Sequence, residues 1–162
     1  MSDRDIATLV AYNFWADERI LAACEGLTAA EFTQAAALDP GWGSLRGILV
    51  HALDAETGWR AVLQGQGGGF LLQESDFADV AALRDRWAVE REAWLDFAAG
   101  PAGEQLDRVL DIDDDFQMTV RQVITHVVIH GAHHRAEAAA ILTGFGRSPG
   151  DLDFDVFLFQ AL

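Results

Sequence analysis

Apolar residues recur every three or four positions in four stretches of the chain, and polar residues fill the positions between them. This spacing is typical of helices that bury one face, and it predicts four long amphipathic helices. Ser44 is predicted to cap the second helix, and Thr119 with Gln122 to form a capping box that begins the fourth. The predicted helices cover residues of about 3–24, 45–63, 79–99 and 120–143.

Shorter accessory helices are predicted outside these four. Thr28 with Glu31 forms a capping box that predicts a short helix, and Ser2 with Asp5 forms another at the start of the first long helix. The tail at 151–162 is rich in Leu and Phe and is predicted to pack on the core. Its periodicity is compatible with a short helix and with extended chain.

Two loop segments resemble ligand-binding loops but fail the corresponding patterns. In a calcium loop that starts at Asp111, Phe116 would replace the required glycine and Gln122 the required glutamate. The acidic stretch at 103–117 is therefore predicted to be a solvated turn. The glycine-rich stretch at 65–69 is predicted to be a flexible connection, because a phosphate loop needs a lysine and the chain has none.

The composition limits the fold and the partners. The 26 acidic residues outnumber 11 basic ones, all of them Arg, which gives a formal charge of −15. Such a charge repels nucleic acids and anionic membrane surfaces, and no apolar run approaches the ~18 to 20 residues that span a bilayer. With no strand predicted, the chain at 1–162 is expected to form one all-α domain, a helix bundle.

Cys24 is the only cysteine, so no internal disulfide can form. It is predicted to be a small buried hydrophobic residue rather than a reactive thiol. Charged residues are mixed into the first twenty positions, which does not fit a signal peptide, so a cytoplasmic location is predicted.

Histidine is concentrated on the last predicted helix, which carries four histidines within nine residues. On a helical wheel His130 and His134 lie toward the apolar face, His126 lies at its margin and His133 points outward. Because residues four apart stack on one face of a helix, His130 and His134 can reach a single ion. His51 is the fifth histidine and lies at the flank of the apolar face of the second helix.

A single histidine that faces a core is more often a hydrogen-bonded structural residue than a ligand, and the position of His51 does not demand a metal. Three histidines from two facing helices would nevertheless hold a divalent transition metal and leave coordination positions for water or substrate. Imidazole ligands suit zinc, nickel, copper and iron alike, so they do not select the metal. We expect zinc or nickel, with iron or manganese as alternatives.

Three segments resemble the signatures of the DinB/YfiT-like family. They are YNFWADERIL at 12–21, LVHALDAE at 49–56 followed by Trp59, and HVVIHGAHHR at 126–135. The resemblance implies a four-helix bundle with a long crossover connection, which is often dimeric. It also implies a metal bound by His51, His130 and His134, and chemistry on a small-molecule substrate with a low-molecular-weight thiol, as in related bacterial thiol S-transferases.

Four charged residues near these motifs have predicted roles. Glu137, where the family often has Gln, is either a hydrogen-bond acceptor for a ligand imidazole or an exposed charge. Glu56 projects into an apolar face and needs a partner. Asp54 is predicted to be solvated and Arg135 to form a structural ion pair.

Three functions remain open at this point. A thiol transferase would use the metal to deprotonate a thiol that attacks an electrophile. A metal-dependent hydrolase would need a general base, for which Glu56 and Glu137 are weak candidates. In a non-catalytic metal-binding dimeric module, the histidines would only stabilise the bundle. Open coordination positions would favour catalysis, and a fourth protein ligand would favour a structural role.

Overall fold

A computed structural model describes residues 3–36, 41–69, 71–100 and 105–161 of the chain. Four long helices form most of its regular structure. The predictions for these helices are confirmed to within one residue at every end. Two shorter α-helices and a 3-10 helix at Glu74–Asp76 accompany them in the described part. In chain order, the α-helices are α1 (Asp3–Ala23), α2 (Ala29–Thr33), α3 (Leu45–Leu63), α4 (Val80–Ala99), α5 (Val120–Gly144) and α6 (Phe154–Ala161).

Side-chain caps fix the beginnings of several helices. The Ser44 hydroxyl accepts a hydrogen bond from the Gly47 amide at 3.0 Å and begins α3. Thr119 caps α5 in a reciprocal box with Gln122, as predicted. The predicted box of Thr28 and Glu31 is also present and begins α2. The box predicted for Ser2 and Asp5 lies outside the described residues, because Ser2 is not described.

The core lies between the four long helices. Helices α1 and α3 each contact both α4 and α5. Fully buried side chains from all four, such as Ile6, Leu53, Trp94 and Ile124, fill the space between them. Cys24 is buried, as predicted, and burial raises the pKa of its thiol to about 12, so the thiol stays protonated at neutral pH. No helix in the described ranges is long and apolar enough to cross a membrane.

The tail forms helix α6 rather than extended chain. Phe157 is buried, and its ring lies 5.8 Å from that of Tyr12 in α1. Phe154 and Leu158 are more exposed, and Phe159 is 87% exposed. The predicted packing of the tail is therefore correct for one face of α6 and wrong for the other.

The acidic stretch forms a β-hairpin, so the prediction that the chain contains no strand is wrong, whereas the prediction of a mainly helical fold is confirmed. Strand β1 (Val109–Asp113) pairs antiparallel with β2 (Phe116–Thr119). Leu110 and Ile112 alternate with exposed residues along β1, and this alternation lets one face pack on the core while the acidic side chains stay in water. The prediction of a solvated turn is correct only for the residues that join the two strands. The described part of the chain is mostly helical and contains one small two-stranded sheet.

Candidate metal centre

Three histidines from two contacting helices converge at one place. His51 comes from α3, and His130 and His134 come from successive turns of α5. The Nε2 atom of His130 lies 3.1 Å from Nε2 of His51 and 3.2 Å from Nε2 of His134. One ligand atom from each residue lies within 4.8 Å of the others, so the group can hold a metal ion. The structure thus brings together the three histidines that the sequence pointed to.

The spacing of the nitrogens fits a shared ion. Two imidazole nitrogens bound tetrahedrally to zinc, each at about 2.0–2.1 Å, lie about 3.3 Å apart. Among the described residues, this group contains three histidines and no further His, Cys, Asp or Glu. An ion held here would therefore keep coordination positions for a ligand that the protein does not supply.

Burial keeps two of the three imidazoles uncharged. The pKa of His51 is lowered to about 4, mainly by burial and then by the neighbouring His134. The pKa of His130 is lowered to about 3 by burial, followed by the charges of His134 and His51. Because a metal binds only the neutral imidazole, both side chains are in the ligand form at neutral pH.

Glu137 orients His134. Its Oε2 atom lies 2.7 Å from Nδ1 of His134, and its Oε1 atom lies 2.9 Å from Nε2 of His133. A carboxylate oxygen accepts hydrogen bonds, so this contact favours the His134 tautomer with its proton on Nδ1 and its lone pair on Nε2. Of the two roles considered for Glu137, the structure favours the acceptor for a ligand imidazole.

The other two histidines stay outside the group. His133 is exposed, as predicted, and contacts Glu137. His126 is exposed as well, with its ring 5.1 Å from Trp59 and 5.6 Å from His130. Partial burial lowers the pKa of His126.

Trp42 covers His51, a contact that the sequence did not predict. The two rings are stacked with centroids 3.5 Å apart, and the same indole lies edge-on to His134 at 6.1 Å. Gly47 makes this placement possible, because a Cβ there would lie 1.9 Å from the carbonyl oxygen of Trp42. The available signal was a tryptophan between two glycines, just before the cap of α3.

Glu56 lies in a buried network rather than at the metal centre. Its Oε1 atom accepts a hydrogen bond from Asn13 at 2.6 Å, and its Oε2 atom accepts one from Trp87 at 2.8 Å. Arg135 pairs with Asp17 at 2.8 Å in the same network, which confirms the structural ion pair. Burial, and then the charge of Asp17, raise the pKa of Glu56 well above its usual range. Burial also raises the pKa of Asp17.

Asp54 is buried, so the prediction that it is solvated is wrong. It is 3% exposed, and its Oδ1 atom accepts hydrogen bonds from the amides of Leu71 and Leu72 at 2.7 and 2.8 Å. The segment after the glycine-rich connection lies over this face of α3 and supplies the amides that replace water. A helical wheel does not include such a segment.

Two cavities have His51 in their walls. The first has a volume of about 400 Å³ and also includes His130, together with apolar side chains of α3 and β1 and the backbone of Gly68 and Gly69. The second has a volume of about 340 Å³ and is lined by Trp42 and by the polar side chains of residues 73–75. Small molecules can thus reach His51 and His130 of the candidate metal centre.

Comparison with known proteins gives consistent matches along the chain. The family model described as "DinB family" matches residues 1–161. A curated relative, "Protein DinB" of Bacillus subtilis, is 24% identical over 163 residues, which cover 94% of this chain and 92% of the relative.

Proposed function

Because the chain belongs to the DinB family, we propose that it is an enzyme that holds one divalent transition metal, zinc or nickel, on His51, His130 and His134. The observation that carries this proposal is the convergence of three Nε2 atoms at 3.1 and 3.2 Å. The proposal also treats the four long helices as a four-helix bundle with a long crossover connection, which agrees with the contacts of α1 and α3 to α4 and α5.

The proposed reaction is the transfer of a low-molecular-weight thiol to an electrophilic small molecule. The thiol sulfur forms a bond to a carbon of the acceptor, the leaving group departs with the electron pair of the broken bond, and the thiol proton passes to solvent. A bound divalent ion would lower the pKa of a thiol at this centre. Glu137 fixes the tautomer of His134, and Trp42 covers one face of His51.

Transfer is better supported than hydrolysis or a purely structural role. Hydrolysis requires a general base, but both oxygens of Glu56 accept hydrogen bonds in the buried network and both oxygens of Glu137 contact histidines. A structural site would have a fourth protein ligand, and the described part of the chain adds none to the three histidines. A cavity reaches two of them.

The first experiment measures metal content by mass spectrometry after incubation with zinc, nickel or manganese. We expect about one ion per chain in the wild type and its loss in His51→Ala, His130→Ala and His134→Ala. His133→Ala is the matched control and should retain the ion, because His133 is exposed and outside the group. A wild type that stays metal-free would overturn the proposal.

The second experiment measures thiol consumption by the metal-loaded protein with a panel of electrophiles. We expect consumption that depends on both the metal and the acceptor, and that is lost in the three histidine variants. A metal-loaded protein that consumes no thiol with any acceptor in a broad panel would leave the metal site standing but contradict the transferase function.

We also propose that the protein is a cytoplasmic homodimer. The support for a dimer is the exposed apolar side chains of α6, Phe154, Leu158 and Phe159. Sedimentation of the wild type and of Phe159→Asp tests this. A monomeric wild type would contradict the proposed dimer.

A further inference from the structure

The larger of the two cavities leads directly to the metal centre. Its wall contains His51 and His130, two of the three proposed ligands. A molecule in this cavity can therefore present one end to the histidines while the rest of it contacts the remaining wall. The volume of about 400 Å³ is in the range of pockets that bind small organic molecules.

The rest of the wall is mainly apolar. Trp59 and Val62 come from successive turns of α3, and Ile112 comes from β1. All three side chains are partly buried and pack on the core, so each is held in place and still has surface to offer a ligand. The ring of His126 lies 5.1 Å from that of Trp59 and supports it from outside the cavity. A tryptophan beside aliphatic side chains favours a flat, apolar group.

On one side of the cavity the wall is formed by backbone, where the glycine-rich connection packs tightly against α3. A Cβ on Gly58 would lie 3.0 Å from the carbonyl oxygen of Gly69. A Cβ on Gly68 would lie 2.6 Å from Cγ2 of Val62. The connection thus lies directly against α3, and Asp54 holds the segment that follows it through the amides of Leu71 and Leu72.

The described part of the wall offers no positive side chain to an anionic ligand. Among the described residues that line the cavity, the ionisable ones are His51, His130 and Asp54. The carboxylate of Asp54 adds a negative charge, and the formal charge of the whole chain is −15. Burying a carboxylate or a phosphate against Trp59 would therefore leave that anion without a partner.

We propose that the electrophilic acceptor of this enzyme carries an uncharged, flat apolar group that packs against Trp59, Val62 and Ile112, while its reactive end lies at the histidines. The proposal rests on the proposed function of the metal centre. It makes these three side chains determinants of acceptor specificity. It also excludes acceptors that carry a charge on the group that packs against them.

The test measures binding of three imidazole probes to the protein loaded with Co²⁺, whose absorption spectrum changes when an imidazole coordinates. The probes are imidazole, 4-phenylimidazole and 4-(imidazol-4-yl)benzoate. Burial of one phenyl ring should make 4-phenylimidazole bind at least about tenfold more tightly than imidazole. The benzoate probe, which has the same ring with a carboxylate, should lose most of that gain. Equal affinity of the phenyl probe and imidazole, or a preference for the benzoate, would overturn the proposal.

Two variants test whether the affinity gain of the phenyl probe comes from the cavity wall. Trp59→Ala and Ile112→Asp should bind Co²⁺ and imidazole as the wild type does, and should lose most of the gain of the phenyl probe. Trp15→Ala and Val109→Asp are the matched controls, because Trp15 packs against Phe157 and Val109 is exposed on the same strand as Ile112. The proposal would be contradicted if the control variants lost as much of the affinity gain of 4-phenylimidazole over imidazole as the two wall variants do.

Failure of this proposal is distinguishable from failure of the proposed function. A protein that binds no Co²⁺ contradicts the metal centre itself. A protein that binds Co²⁺ and imidazole but shows no gain for the phenyl probe contradicts only the acceptor class. The wild-type comparison of the three probes decides this even where a wall variant fails to fold.

Discussion

Helix α5 contributes to two polar clusters that differ in what their side chains can do. The candidate metal centre contains His130 and His134, and a cavity reaches it. The buried network contains Arg135, which pairs with Asp17. In the network, both oxygens of Asp17 and both of Glu56 accept hydrogen bonds from neighbouring side chains. Carboxylate oxygens that all have hydrogen-bond donors serve the fold, whereas histidine nitrogens that converge beside a cavity are placed to reach a small molecule.

The largest expected effect is a loss of stability when the buried network is broken at Arg135 and the histidines of the candidate metal centre are left unchanged. Arg135→Met leaves the carboxyl groups of Asp17 and Glu56 buried without their positive partner, so we expect a loss of about 3–5 kcal/mol in the free energy of unfolding. Urea denaturation measures it. Arg91→Met is the control, because Arg91 pairs with Glu92 at the surface and should change stability by less than about 1 kcal/mol. Similar losses in both variants would contradict a special role for the network.

A second prediction breaks the metal centre without disturbing the network. Glu137→Ala removes the acceptor of the Nδ1 proton of His134, so we expect about 10- to 100-fold weaker metal binding and little change in urea denaturation. Glu137→Gln keeps one acceptor oxygen and should restore part of the affinity. Competition with a chelator measures both variants. An unchanged affinity in Glu137→Ala would show that the carboxylate does not position the ligand.

The network should also make stability depend on pH. The pKa of Glu56 in the folded protein lies well above its usual 4.5. Its protonated form therefore stabilises the fold fully below that usual value, and this contribution is lost as the pH rises through the folded pKa. Relative to Glu56→Gln, the wild type should lose roughly 1 kcal/mol per pH unit from about pH 5 up to the folded pKa of Glu56, and no more above it. Urea denaturation of both proteins at several pH values checks this, and parallel pH profiles would contradict it.

The smallest expected effect concerns Trp42 and sharpens the description of the metal centre. Loss of its stacking on His51 in Trp42→Ala should weaken metal binding by about threefold, because an aromatic pair of this kind contributes on the order of 1 kcal/mol or less. Titration with nickel measures the affinity. Trp15→Ala is again the matched control, and equal affinities for the two variants would show that Trp42 does not hold the ligand.

The parts of the fold and site that depend on local spacing could be predicted from the sequence. Helical periodicity gave the four long helices, and the i, i+4 spacing of His130 and His134 gave the ligand pair. The hairpin was missed because its alternating apolar signal covers only a few positions and is diluted by aspartates. Asp54 and Trp42 were missed or misplaced because their partners come from loops that pack against α3.

The role of Glu137 stayed open for a different reason. Its position on the helix allowed both a contact with His134 and full exposure, and only its side-chain conformation distinguishes them. A helical wheel shows that Glu56 faces the core and needs a partner, but it cannot identify that partner. The partners, Asn13 and Trp87, come from two other helices.

Consecutive residues of α5, His134 and Arg135, serve the two clusters, so this helix has little freedom to change. Under the proposed transferase function, new acceptor preferences are expected from elements that line the cavity and supply neither a candidate metal ligand nor a member of the buried network. Laboratory evolution of substrate range should accordingly randomise Ile112 of the hairpin, and leave α5 and the closely packed glycines of the connection untouched. Libraries built in this way should retain folded, metal-binding members at a higher frequency than libraries built on α5.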